Sequence, residues 1–464
     1  MAVLIESEPP GITKTWAEFA STLSYDDLPP AVIRSAKSLV ADTVAVMLGA
    51  SGLDRACGLV QQVAGPGSGA PESTLIGYGR RAPVLLAALV NGSTAHALNY
   101  DAVGGGGGHV GVASVPAPLA LAERKGGVSG RRLLVAVSVG AEFGARLVES
   151  ISTAPSSPKV RFSSPQLFGY FAVAVAGGHV LDLKPAQMNS ALGLALMQAA
   201  GGSQPSSEGK EAKGLYGGLF NYGGVLSALL AAEGIDAECL ALEGDRGLFQ
   251  AFFGGRYEPS ALEDGLGTVF RGADARFKVW PTSGALHPFV DAAVGIARQQ
   301  GFNAREIDQI VVKAPPHIRI WAEPVDERRH PQNIATATNS LFFAVAAALA
   351  NGDFTLSDLT ERGLVEEEVM RLTEACDWVP SDEKDAAIEI TFKDGTRNAV
   401  RVSWSHKDRV KPGYEHIQTK FRDCARHAAV ALEEERVEKV LQLLERLEDL
   451  EDIRTLTDLL VARP

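Results

Sequence analysis

The chain has 464 residues, with 44 Lys and Arg against 56 Asp and Glu, a formal charge of −12. Apolar residues make up 46% and charged residues 22%, an ordinary globular balance that excludes a disordered chain, and four scattered cysteines exclude a disulfide scaffold. The acidic balance excludes a general nucleic-acid binder, which needs a basic face; an anionic ligand would require a local cationic pocket set against the net charge.

The N-terminal stretch MAVLIESEPPGITK has neither the basic nor the apolar region of a signal peptide. Apolar runs near Val84–Val90 and Tyr170–Val180 are too short or too interrupted to span a bilayer, so a reduced, cytoplasmic protein with no membrane partner is expected. From residue 13 to about 250 the pattern predicts helix after helix. Pro29 and Pro30 start a run in which Val32, Ile33, Ala36, Leu39, Val40, Val44 and Met47 keep helical spacing, with Gly49 and Gly52 expected to close it. Further runs cover Ala82–Leu98, Val115–Glu123, Arg131–Glu149, Gln166–Val180, Pro185–Ala200 and Leu215–Ala232. Gly217, Gly218, Gly223 and Gly224 inside the last run predict close helix–helix approach, because packing must override their poor helix propensity.

The texture changes near Thr268. Ile307–Ala314, Ala386–Phe392 and Asn398–Trp404 alternate and are rich in β-branched residues, and Lys393-Asp394-Gly395 between the last two predicts a hairpin. Helical stretches at Pro288–Gln300 and Ser340–Asn351 lie among them, and helices resume at Tyr414–Ala429, Glu433–Glu448 and Asp452–Ala462. The expected fold is therefore mainly α: a large all-helical domain formed by both chain ends, residues 1–268 and 409–464, with an α+β lid domain inserted at 269–408.

Several site types are absent. No two cysteines form a C-x-x-C, no His-Glu-x-x-His occurs, Gly77-Tyr78-Gly79 lacks the third glycine of a dinucleotide fingerprint, and there is no P-loop or nucleophile elbow. The most unusual segment is HALNYDAVGGGGGH, His96–His109. Five consecutive glycines free the backbone for positive φ and close approach to a ligand, and their N–H groups could hold a carboxylate. Asp101 and His109 flank that loop as titratable groups. Lys213 and Lys278 are candidate cations, and His287, just before Pro288 at a helix start, is a candidate base kept neutral by the helix dipole.

Taken in order, these pieces resemble the MmgE/PrpD family, which includes 2-methylcitrate dehydratase, cis-aconitate decarboxylase and iminodisuccinate epimerase. The resemblance rests on ALVNGSTAHALNYDAVGGGGGHVGVASVPAPLALAE, AKGLYGGLFNYGGVLSALLAAEG, FKVWPTSGALHPFVDAA, LFFAVAAALANGDFTLSDLTE and TKFRDCA. It implies a homodimer and cofactor-free chemistry at a carbon next to a carboxylate, in a site between a helical domain and a lid. It implies catalytic roles for His109, Lys213, Lys278 and His287, and substrate binding by Asn99, Asp101, Gly107, Gly108, Ser163, Tyr216 and Phe343, with no metal. Asn99, Ala102, Val103, Ser163, Tyr216 and Phe343 depart from the family's acidic, hydroxylic or histidine positions.

Removing a proton beside a carboxylate builds a dianion, so cations must be aimed where that charge develops. Lys213 and Lys278 suit that role, and His109 and His287 suit proton transfer. The expected function is a lyase, first a hydro-lyase, on a small carboxylate; an epimerase or isomerase, a decarboxylase, and a non-catalytic scaffold stand as alternatives. The replacements Val103 and Phe343 predict a substrate less polar at one end than 2-methylcitrate or cis-aconitate.

Overall fold

The computed structural model describes residues 11–104, 108–154, 161–403 and 413–461. Gly107 lies outside the described residues, as does Trp404, the last residue of the expected Asn398–Trp404 strand. The principal helices of the first part are α1 (Ile12–Thr22), α2 (Pro30–Leu53), α3 (Val84–Ala97), α4 (Val110–Ser114), α5 (Pro116–Lys125), α6 (Gly130–Ser152), α7 (Ser164–Val180), α8 (Pro185–Gln198) and α9 (Tyr216–Ala232). Pro at the first turn starts α2, α5 and α8, where its missing N–H costs nothing, and Ser129 and Ser163 cap α6 and α7 through their hydroxyl oxygens. Every residue of α7 from Gln166 onward is buried, as befits a helix apolar on all sides at the centre of the bundle.

Gly49 and Gly52 do not close α2, which runs on to Leu53. They permit contact instead: a Cβ on Gly52 would lie 2.1 Å from the His427 carbonyl oxygen, and one on Gly49 would touch Cys424. The glycines of α9 act likewise. A Cβ on Gly217 would come 2.3 Å from the Gly92 carbonyl oxygen in α3, and one on Gly224 within 2.5 Å of Val173 in α7. The continuous helical run Glu211–Ala232 is the one described helix long and apolar enough to cross a membrane; it packs against α3, α7 and α8.

A short hairpin interrupts the helices, β1 (Ser73–Leu75) with β2 (Arg80–Ala82). Its turn uses Gly77 and Gly79 at φ 83° and 65°, which explains the glycine pair without a nucleotide. The second part holds a four-stranded sheet of β3 (Ile307–Ala314), β4 (Cys376–Pro380), β5 (Ala387–Phe392) and β6 (Arg397–Arg401) in the order β4-β3-β5-β6. β4 runs parallel to β3, and the other pairs are antiparallel. Periodicity alone does not reveal β4, five residues long and ending in Pro380. A register shift between Ile307 and Gln309 lets Ile307, Ile310, Val312 and Ala314 all face inward despite the broken alternation. Helices α10 (His287–Ala297), α11 (Leu341–Asn351) and α12 (Glu367–Glu374) pack on the sheet.

The chain then returns to the first part. Helix α13 (Tyr414–Arg426) lies along α2, and α14 (Glu434–Glu445) follows. Of the expected last helix Asp452–Ala462, whose final residue lies outside the described residues, only Arg454–Thr457 is helical, and its start is anchored by the Ile453 N–H donating to the Val128 carbonyl.

Candidate active site

A cleft of about 1870 Å³ opens between the helical part and the α+β part. His109, Lys213 and Tyr216 line it from the helical side, Lys278 and His287 from the chain leading into α10, and Arg328 from the α+β side.

The centre of the site is the turn that ends α3. Asn99 adopts φ 51°, a left-handed conformation that Asn tolerates better than most side chains. The Lys278 ammonium donates to both the backbone and side-chain oxygens of Asn99, at 2.6 and 2.9 Å, and the Asn99 amide donates to the Thr338 carbonyl. From below, Lys420 of α13 donates to the Tyr100 carbonyl at 2.6 Å and pairs with Asp42 of α2 at 2.6 Å; both side chains are fully buried. Its ammonium also sits 3.7 Å from the Tyr100 ring centroid.

This turn aims the buried Asp101 carboxylate at His109, whose Nδ1–H donates to Asp101 Oδ2 at 2.6 Å. An ionised carboxylate only accepts, so the bond sets the tautomer and leaves the Nε2 lone pair for the cleft. Burial pushes the Asp101 carboxyl up, but His109, Lys278 and His96 outweigh it and hold it well below the usual range. His96 Nδ1 lies 3.2 Å from Asp101 Oδ1, and the Tyr216 ring packs on His96 at 4.2 Å. Burial lowers the His96 imidazole to about 3, against the opposing pull of Asp101, so it stays neutral.

Lys213, in the turn before α9, is lowered to about 8, by burial first and then by the charges of Lys278 and Arg328, with Asp101 opposing. Among the described residues, no acidic side chain pairs directly with its ammonium, which leaves it available to an anion. Lys278 is lowered too, mainly by burial. His287 opens α10, buried, with its ring edge-on to Trp280 at 5.3 Å. Ahead of His109, Val103 bridges to Arg276 through reciprocal backbone bonds, joining the end of the Asn99 turn to the segment that carries Lys278.

Other expected positions lie elsewhere. Gly108 borders a much smaller hollow against Val148, outside the cleft. Ser163 is the cap of α7, accepting from Gln166 N–H at 3.3 Å, and does not line the cleft. Phe343 is fully buried and packs on Phe354, because the Ser340 cap sets the phase of α11 so that this side chain faces the core. Neither touches the cleft wall, which corrects their assignment as substrate contacts. Three contributors escape sequence reading: His96, Arg328 and Lys420. His96 is a polar group inside an apolar run, whereas Arg328 and Lys420 lie in charged segments where nothing local sets them apart until a partner is seen.

His96, Asp101 and His109 offer donor atoms within 4.8 Å of one another, the spacing a metal ion would need. Two of these groups already have neighbours: His109 Nδ1 bonds the carboxylate, and the Lys278 ammonium stands 3.8 Å from Asp101 Oδ1. The arrangement suits proton transfer on an anion: an oriented imidazole base beside ammonium groups.

The MmgE/PrpD N-terminal domain matches residues 14–260 and the MmgE/PrpD C-terminal domain matches residues 280–446, and the chain belongs to the MmgE/PrpD family. It is similar to the cis-aconitate decarboxylase of Mus musculus, 29% identical over 433 residues that cover 89% of this chain and 86% of the relative. It is also similar to that of Homo sapiens, 27% identical over 430 residues covering 89% and 87%, and to that of Aspergillus terreus, 29% identical over 303 residues covering 62% and 61%. The chain is an enzyme of the lyase/dehydratase type.

Proposed function

We propose that this enzyme is a cofactor-independent lyase that moves a proton at a carbon next to a carboxylate of a small acid. The observation that carries this reading is the His109 imidazole, pinned by Asp101 through Nδ1, on the same cleft as Lys213 and Lys278. The ammonium groups hold a substrate carboxylate and stabilise the charge that spreads onto it; His109 Nε2 takes or returns the proton, and His287 on the same cleft is the second candidate for proton transfer.

Two bond cleavages fit these parts. In dehydration, the base removes the proton, the electron pair moves onto the carboxylate, and a β-hydroxyl leaves with a proton as water. In decarboxylation, a carboxylate leaves as CO₂, its electron pair spreads into the neighbouring unsaturated acid, and His109 supplies the proton that quenches it. The cis-aconitate decarboxylases among the relatives favour the second, reversing the order that the motifs alone suggest. The enzyme works in this reading as a cytoplasmic homodimer without a metal. Incubation with candidate acids in D₂O, followed by mass spectrometry, tests it. Loss of CO₂ with one deuterium gained identifies the decarboxylase, and loss of water the hydro-lyase. Deuterium exchange without loss of a group would show an isomerase and refute the lyase.

A further inference from the structure

The cleft has a second chemical character beyond its cationic floor. Trp280, Trp321, Phe277, Ile320 and Val325 line it together with the charged groups. Ile320 is 63% exposed and Val325 43%, although both belong to short helical turns, Arg319–Ala322 and Val325–Arg329, where they could have turned inward. Arg328 links the two regions. Its charge reaches Lys213, while its Nε and Nη2 donate to the Glu323 and Ile320 carbonyls at 3.2 and 3.1 Å, so the cation holds the turn that presents Ile320 and Trp321.

Size points the same way. Sites that bury most of a small ligand usually measure about 300–1,000 Å³, and this cleft is about 1870 Å³. A six-carbon polycarboxylate would leave most of it, and its apolar wall, in water. Exposed apolar side chains gathered on a concave surface mark a binding surface.

We propose that the substrate is a carboxylate carrying an apolar arm, alkyl or aryl, with the acid at Lys213 and Lys278 and the arm against Trp280, Trp321, Ile320 and Val325. The assignment of the acid end rests on the reading under Proposed function. The arm is a separate claim, because it concerns binding and needs no turnover.

Binding of 2-alkylsuccinates from methyl to octyl, which carry no leaving group, separates the two. Isothermal titration should show Kd falling about threefold to fourfold per methylene until the wall is covered, the increment expected for burying one CH₂. Trp321→Ala and Ile320→Asn should cut that gain to less than twofold per methylene; Ile320 is exposed, so its replacement leaves the fold intact. Lys213→Ala should weaken every member of the series by a similar factor. A Kd independent of chain length overturns the arm while leaving the carboxylate end standing, and is what closure of the cleft over a small acid, or a second copy of the chain covering the wall, would produce. A slope unchanged in both wall variants also overturns it. Binding of no member overturns both the arm and the acid end.

Discussion

Lys213 shows how neighbouring charges tune a half-buried one. Lys213 is lowered to about 8 because burial and two cationic neighbours oppose its proton. Binding of an unreactive dicarboxylate should therefore weaken toward tenfold per pH unit above about pH 8, with a plateau below it that extends down to the ligand's own carboxyl range, a profile that titration calorimetry would read. The effect on stability has the opposite sense: the folded chain releases this proton before the unfolded chain does. Its penalty is fully present below about 8 and fades as pH rises toward the ordinary Lys value of about 10.4. Lys213→Ala relieves that penalty and is expected to hold or raise the melting temperature at pH 7 while kcat/KM falls by about 10²–10³, the loss typical of a removed charge stabiliser. Asp101→Asn should lower kcat by about 10²–10⁴, because an amide no longer fixes the His109 tautomer or supports its charged form. Steady-state kinetics with unchanged circular dichroism would establish both, and near-parental kcat in either variant would remove that residue from the mechanism.

Helices α2 and α13 meet through a buried ion pair rather than through apolar contact alone. Lys420 and Asp42 are both fully buried, and Lys420 also donates to the Tyr100 carbonyl, so α13 supports the turn that carries Asn99 and Asp101 from beneath. Lys420→Met leaves Asp42 buried without its counter-ion, which should cost about 3–5 kcal/mol in urea unfolding. Adding Asp42→Asn should recover part of that loss, and equal stability of the two variants would show that the pair is uncoupled. The glycines of α9 work at the same scale by a different means. Gly218 could not carry a Cβ without approaching the Leu89 carbonyl oxygen to 2.3 Å, so the spacing of α9 and α3 depends on a missing side chain.

Across the whole molecule, the cleft exists because chain segments far apart in sequence converge. His109 and Lys213 come from the helical part, Lys278 from the connection into α10, Arg328 from the α+β part, and Lys420 from the returning C-terminal helix. The C-terminal family domain spans the sheet and α13 alike, whereas α13 packs on α2 in space. A chain ending at residue 412 should therefore lose carboxylate binding as well as stability, since Asp42 and the Tyr100 carbonyl lose Lys420 together. Binding retained by that shortened chain would show that α13 does not support the site.

The sequence by itself determined the elements with strong period: α2, α6, α7, α9 and the β5–β6 hairpin follow from apolar spacing, the Pro that starts α2, and an Asp-Gly turn. Motif order identified the family, and with it His109, Lys213, Lys278 and His287 as candidates. Only the tertiary structure decided which of the named residues share a cleft, because that depends on contacts between segments hundreds of residues apart. It withdrew Ser163 and Phe343, whose local roles are a helix cap and a core ring, and it added His96, Arg328 and Lys420, whose meaning lies in a partner that no local pattern contains. It also turned Gly49 and Gly52 from expected helix stops into contact points, since a glycine's missing side chain acquires a purpose only when another backbone approaches it.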